Sequence, residues 1–115
     1  MWEIEYYEAA DGQIPVQLFI DGLTVKAKAK VARTIDLLEE FGTNLGMPYA
    51  EHIEGKLWEL RTRISTSRYR IIYFIDTGKS FVLLHGFLKK TRKISKVDVQ
   101  TAKNRLTDYL SRRRQ

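Results

Sequence analysis

The segments Leu57-Trp58-Glu59-Leu60-Arg61-Thr62-Arg63, Arg68-Tyr69-Arg70-Ile71-Ile72-Tyr73-Phe74-Ile75-Asp76 and Lys79-Ser80-Phe81-Val82-Leu83-Leu84-His85-Gly86-Phe87-Leu88 decide the fold. β-Branched and aromatic residues dominate all three, and Thr77-Gly78 reads as a two-residue turn, so consecutive antiparallel strands are expected at about 57–63, 68–76 and 79–88. Closing the second hairpin with Asp76 opposite Lys79, and the first with Arg63 opposite Arg68, places Arg61 opposite Arg70 and Arg70 opposite His85. Directly opposed residues share a sheet face. The same face is expected to carry Glu59, Arg63, Ile72, Leu83 and Phe87. Trp58, Leu60, Ile71, Tyr73, Ile75, Val82 and Leu84 then turn to the other face and pack on helices.

Upstream, Trp2, Ile4 and Tyr6 alternate with Glu3 and Glu5, the pattern of a strand at about 2–8. Asp11-Gly12-Gln13 reads as a turn, and Pro15 opens a short helix that Gly22 ends. Thr24 is placed as the N-cap of a longer helix whose Ala27, Val31, Ile35, Leu38 and Phe41 share one face, and Gly42 is its stop. Residues 43–55 read as an irregular connection, long enough to carry function. Downstream, Ser95 and Asp98 have the spacing of a capping box before a helix that buries Val99, Ala102, Leu106 and Tyr109. Residues 111–115 read as a basic, flexible tail. The expectation is one α+β domain over 1–115, with a helical hairpin and a C-terminal helix on a mostly antiparallel sheet of about four strands.

The 115 residues include no cysteine, so disulfide and cysteine–zinc scaffolds are excluded. No apolar run approaches the roughly 20 residues that cross a bilayer, and the first eight residues have no leader pattern; a cytoplasmic protein without a membrane partner is expected. The net charge of +6 is unevenly spread: residues 1–55 carry −6 and residues 56–115 carry +12. That asymmetry points to an electropositive surface for a polyanion, with nucleic acid as the leading partner class.

Residues 56–115 hold only Glu59, Asp76, Asp98 and Asp108 as acids, too few for the carboxylate cluster of a metal-dependent nuclease. His52 has no second ligand at convincing spacing. Neither a metal nor a small-molecule cofactor is expected. RNA carries its own nucleophile in the 2′-hydroxyl, so a protein that cleaves it needs only cations on the phosphate, a base and an acid. Arg61 and Arg70 suit the phosphoryl oxygens, because the guanidinium fork donates two hydrogen bonds and stays charged. His85 is placed to transfer a proton near neutral pH, and Lys89 and Lys90 steer the backbone or act as base if their surroundings lower a lysine pKa. Phe87 is placed to stack on a base, with Arg63, Arg68, Arg92 and Lys93 as further RNA contacts.

Leu57-Trp58-Glu59-Leu60-Arg61, Tyr69-Arg70-Ile71-Ile72-Tyr73 and Leu83-Leu84-His85-Gly86-Phe87-Leu88-Lys89-Lys90-Thr91, followed by a helix with Ala102, Arg105 and Tyr109, together resemble the HigB-like, phage-derived branch of the RelE/ParE toxin superfamily. The resemblance implies a small toxin with an N-terminal helical hairpin on a mixed sheet. It also implies metal-free, ribosome-dependent cleavage of translated mRNA, and neutralisation by a helix-turn-helix, HigA-like antitoxin. The residues it marks are Arg61, Arg70, His85, Phe87, Lys89 and Lys90. Relatives often carry a glycine shortly before the second strand's Tyr-Arg pair, where this chain has Ser65-Thr66-Ser67-Arg68. Two alternatives stand beside this reading: a toxin of the same fold that inhibits a protein target such as gyrase, and a nucleic-acid-binding regulator without catalysis.

Overall fold

The computed structural model describes residues 2–113. Strand β1 (Glu3–Tyr6) leads into helices α1 (Pro15–Asp21) and α2 (Val25–Phe41), which continues into a short 3₁₀ turn at Gly42–Asn44. Strands β2 (Ala50–Glu54), β3 (Leu57–Ile64), β4 (Ser67–Asp76) and β5 (Ser80–Leu88) follow, and helix α3 (Lys96–Arg113) closes the chain. The sheet has five strands in the order β1-β5-β4-β3-β2, with β1 parallel to β5 and every other pair antiparallel. The additional strand is β2, which lies within the connection expected to be irregular.

The helical hairpin forms as its punctuation requires. Pro15 occupies the first turn of α1, where a missing N–H costs nothing, and Thr24 Oγ1 accepts the Ala27 N–H at 3.2 Å at the start of α2. Gly42 ends α2 at φ +55, and a Cβ there would overlap the Trp2 indole. At α3 the Asp98 N–H donates to Ser95 Oγ at 3.2 Å, while the Asp98 carboxylate turns to His85. The reciprocal half of a capping box is therefore absent. Helix α3 also runs through residues expected to be a tail: Arg112 pairs with Asp108 at 2.8 Å and Arg113 with Asp76, which holds Ser111–Arg113 in helix. Residues 114 and 115 lie outside the described residues.

Both sheet faces are covered. The α1–α2 hairpin packs its Val16, Val31, Ile35 and Leu38 on Leu60, Ile71, Tyr73, Phe81 and Leu83. Helix α3 brings Val99 and Ala102 onto the opposite face, against Leu57, Ile72, Phe74, Val82 and Leu84. Burying both faces removes the large apolar area that makes the sheet stable in water.

Register corrects the expected side-chain map. Arg61 lies opposite Arg70 and Arg63 opposite Arg68, as the first hairpin predicts. The second hairpin pairs Asp76 with Ser80, one residue later than expected, because the connection takes in Lys79 as well as Thr77 and Gly78. Thr77 and Gly78 both have positive φ. This slip turns Val82 toward α3 and Leu83 toward the hairpin. Ile72 then pairs with His85 and Tyr73 with Leu83, which leaves Leu84 as the extra residue of a bulge. The second one-residue shift restores the face but not the row, so Arg70 faces Phe87 and His85 faces Ile72.

Candidate nucleic-acid site

Helix α3 covers only part of its sheet face. Where α3 does not reach, β3 and β4 present the rows Arg61–Arg70 and Arg63–Arg68. Lys89, just past β5, joins them by donating its backbone N–H to Arg68 O at 2.7 Å. These side chains line a cleft of about 550 Å³, with Arg61, Arg63, Arg68, Arg70, Lys89 and Arg92 from the basic half of the chain. Lys30 and Thr34 of α2 and the segment Met47–Tyr49 complete its wall.

Two opposed arginines repel, and the structure resolves this with one buried carboxylate. Glu59 Oε1 lies 3.3 Å from Arg70 Nε and 3.4 Å from Arg61 Nε, and Arg61 also reaches Glu51 at 3.1 Å. Arg70 is only 3% exposed, and its second hydrogen-bonding group donates to Tyr69 O at 3.2 Å. Its Nε–H is not aimed at Glu59 and makes no hydrogen bond, so the contact is an ion pair without a directed bond. Two carboxylates thus face a larger set of cations, and the cleft keeps an excess of positive charge.

Burial lowers the Arg70 pKa, Glu59 opposes that, and Arg61 and Arg68 add to it. A guanidinium nonetheless stays charged at any working pH. The Lys89 ammonium is pushed below the usual lysine range, first by burial; Glu59 pulls it back, and Arg70, Arg61 and Arg68 push it further down. Lys89 and the three guanidinium groups that act on it line the same cleft.

The other expected site residues lie next to this cleft. Phe87 stands directly across from Arg70 on β5. With Lys89, Lys90, Lys93, Ser95 and Asp98 it lines a second, smaller cleft of about 280 Å³. Lys89 belongs to both clefts. His85 sits one row away, with its ring stacked on Phe87 at 5.4 Å and 18° between planes. Its Nε2 lies 2.7 Å from Asp98 Oδ1 and its Nδ1 3.1 Å from Arg105 NH1, so both ring nitrogens are engaged.

Sequence reasoning missed several members of the site. Lys30 and Thr34 belong to a helix read only for its apolar face, and Met47–Tyr49 to a connection flagged for its length alone. The spacing of Asp98 from Ser95 reads as a cap, and Arg105 reads as one residue of a helix. No three His, Cys, Asp or Glu side chains among the described residues stand close enough together to hold a metal ion. No helix among them is long and apolar enough to cross a membrane.

Residues 18–107 match the family described as Phage derived protein Gp49-like (DUF891), a span that takes in the second half of α1, all of α2, the whole basic cleft and most of α3. No curated protein matches the chain.

Proposed function

We propose that this chain, which belongs to the Gp49-like phage-derived family, is the toxin of a toxin–antitoxin pair and cleaves translated mRNA on the ribosome. The family falls on the phage-derived branch that the three strand motifs resemble. One observation carries the chemical part of the reading. Arg70, buried on the floor of a concave site, is set against Arg61 and flanked by Arg63, Arg68, Lys89 and Arg92, with too little carboxylate to neutralise them. A phosphodiester supplies the missing negative charge, and bidentate guanidinium donors match its oxygens.

In the reaction that follows, Arg61 and Arg70 hold the two non-bridging oxygens and stabilise the charge that builds on them. The neutral Lys89 amine takes the proton of the 2′-hydroxyl. The 2′-oxygen forms a bond to phosphorus as the bond from phosphorus to the 5′-oxygen breaks. That oxygen leaves with a proton from water at the open mouth of the cleft, and the Lys89 ammonium returns its proton to the hydroxide left behind, giving a 2′,3′-cyclic phosphate, a 5′-hydroxyl and the neutral amine again. Lys89 is favoured over His85 as the proton acceptor because it lines the cleft, whereas both His85 nitrogens are already engaged. The ribosome fits as the site of action because the half of the chain that builds the cleft carries +12 and associates readily with a polyanion. A helix-turn-helix antitoxin encoded beside the toxin is the partner that restrains it.

The test is primer extension on a defined message in a reconstituted translation system, with wild-type protein, Arg70→Ala and a ribosome-free control. Cuts that require ribosomes and vanish with Arg70→Ala are expected. An intact message would overturn the reading.

A further inference from the structure

Asp98 and Arg105 are seven residues apart on α3, so two helical turns set them on one face, spanning the His85 ring. Asp98 lies in the first turn of the helix, where the N-terminal dipole favours a carboxylate. Arg105 NH1 donates to Leu84 O at 2.9 Å and also approaches His85 Nδ1 at 3.1 Å. A guanidinium has no acceptor, so Nδ1 must carry the lone pair, the proton must sit on Nε2, and Nε2–H donates to Asp98. A protonated imidazole would oppose an N–H to the Arg105 N–H. Across the sheet His85 meets Ile72, with Glu59 next in that row, so Asp98 and Arg105 are the charged groups that hold its two nitrogens.

The ring so fixed is the one on which Phe87 stacks, and Phe87 stands opposite the buried Arg70. Alternate residues of a strand share a face, so locking His85 also locks the ring two residues on. We infer that Asp98 and Arg105 are positioning residues that clamp His85 as a neutral, Nε2-protonated ring, and that this holds Phe87 as the platform on which a single-stranded nucleobase stacks beside the Arg61–Arg70 phosphate site. The inference rests on the nucleic-acid reading of that site. It gives His85 a supporting role in place of proton transfer, and it adds two residues to the site. Burial lowers the His85 pKa, Asp98 opposes that, and Arg105 reinforces it, in keeping with a ring that stays neutral. A base on Phe87 would lie in the smaller cleft, with Lys89, Lys90 and Lys93 around its backbone.

Two measurements test the clamp. In the first, long-range ¹⁵N correlation spectra of the histidine-labelled wild-type protein report the His85 tautomer; a neutral Nε2–H ring at pH 7 is expected, and an Nδ1–H ring or an imidazolium would overturn the proposal. In the second, Arg105→Met, Phe87→Leu and the double variant are compared for the rate of message cleavage as a function of the concentration of ribosome-bound message at fixed toxin. Each single change should raise the apparent KM about fivefold to tenfold with kcat within about twofold, as loss of a stacking platform predicts. The double variant should be no worse than Phe87→Leu alone, because Arg105 acts through that ring. Additive losses, or a fall in kcat alone, would overturn the clamp. If the wild-type protein leaves the message intact, the nuclease reading falls, and the tautomer measurement still decides the clamp.

Discussion

Glu59 Oε1 lies 3.3 Å from Arg70 Nε, and both side chains are buried. The same oxygen lies 3.4 Å from Arg61, so one carboxylate lets two cations stand opposite each other in the sheet. Removing one partner of a buried pair leaves the other charge without compensation, which is far more costly than replacing both. Glu59→Gln is expected to cost about 3 kcal/mol of stability, read as a lower urea midpoint. Saturating inorganic sulfate should restore part of that loss by binding the uncovered arginines. An unchanged midpoint would show that the arginines tolerate each other without Glu59.

Lys89 makes the pH dependence of cleavage diagnostic. Its pKa lies below the usual lysine value through burial and the neighbouring arginines, while Glu59 raises it. As the proposed base, Lys89 reacts as the neutral amine, so the cleavage rate should climb with pH up to this depressed pKa and then level off. Lys89→Arg cannot deprotonate and should lose about 100-fold or more in kcat with little change in RNA affinity. Glu59→Gln, if folded, should move the rising limb to lower pH, since it removes the one group that favours the ammonium. A Lys89→Arg protein with near-normal rates would move the base elsewhere.

How much of this was legible in the sequence depends on where the chain signals its geometry. Arg61 opposite Arg70 follows from the short connection between β3 and β4, and that pair is the heart of the cleft. The second hairpin misleads because Thr77-Gly78 resembles a complete turn, whereas Lys79 is also part of it. The Leu84 bulge has no signature among neighbours that are all apolar, and only the pairing of His85 with Ile72 reveals it. Strand β2 is hidden for a different reason. Of Ala50–Glu54 only Ala50 is buried, so this edge strand shows no apolar alternation, and Pro48 and Gly55 on either side read as loop. The clamp on His85 was out of reach because it depends on which turn of α3 meets β5, a tertiary relation that spacing along the chain does not encode.

Ser65 holds φ +53 at the exposed tip between β3 and β4, and its carbonyl accepts from Arg63 Nε at 3.1 Å. A left-handed conformation is strained for any residue with a Cβ and free of that strain for glycine. The position falls in the segment where the resembled toxins often carry glycine. Ser65→Gly should therefore stabilise the protein by about 0.5–1 kcal/mol, the relief of strain exceeding the extra entropy glycine loses on folding. Chemical denaturation checks this, and a lower midpoint would show that the serine contributes a contact that outweighs the strain. The tip adjoins the Arg63–Arg68 row of the cleft, but the glycine keeps the carbonyl that accepts from Arg63, so cleavage should be retained.

Gly86 separates the two halves of the site's last strand and faces away from them. It lies opposite Ile71 on the face covered by the helical hairpin, and a Cβ built on it would run into the ring and Cβ of Phe19 in α1. The obstacle includes atoms close to the α1 backbone, so the helix itself has to move. Gly86→Ala is expected to destabilise by about 1–3 kcal/mol, as overpacking of a filled interior does. It should also lower cleavage, because β5 carries Phe87 and leads directly into Lys89, and a displaced strand misplaces both. Trimming the obstacle separates these effects: Gly86→Ala with Phe19→Ala should cost less than the two single changes added together, since removing the ring relieves the clash and the added methyl fills part of the space the ring leaves. Strictly additive losses in urea midpoint would mean that the glycine serves the strand's own backbone and not the docking of α1.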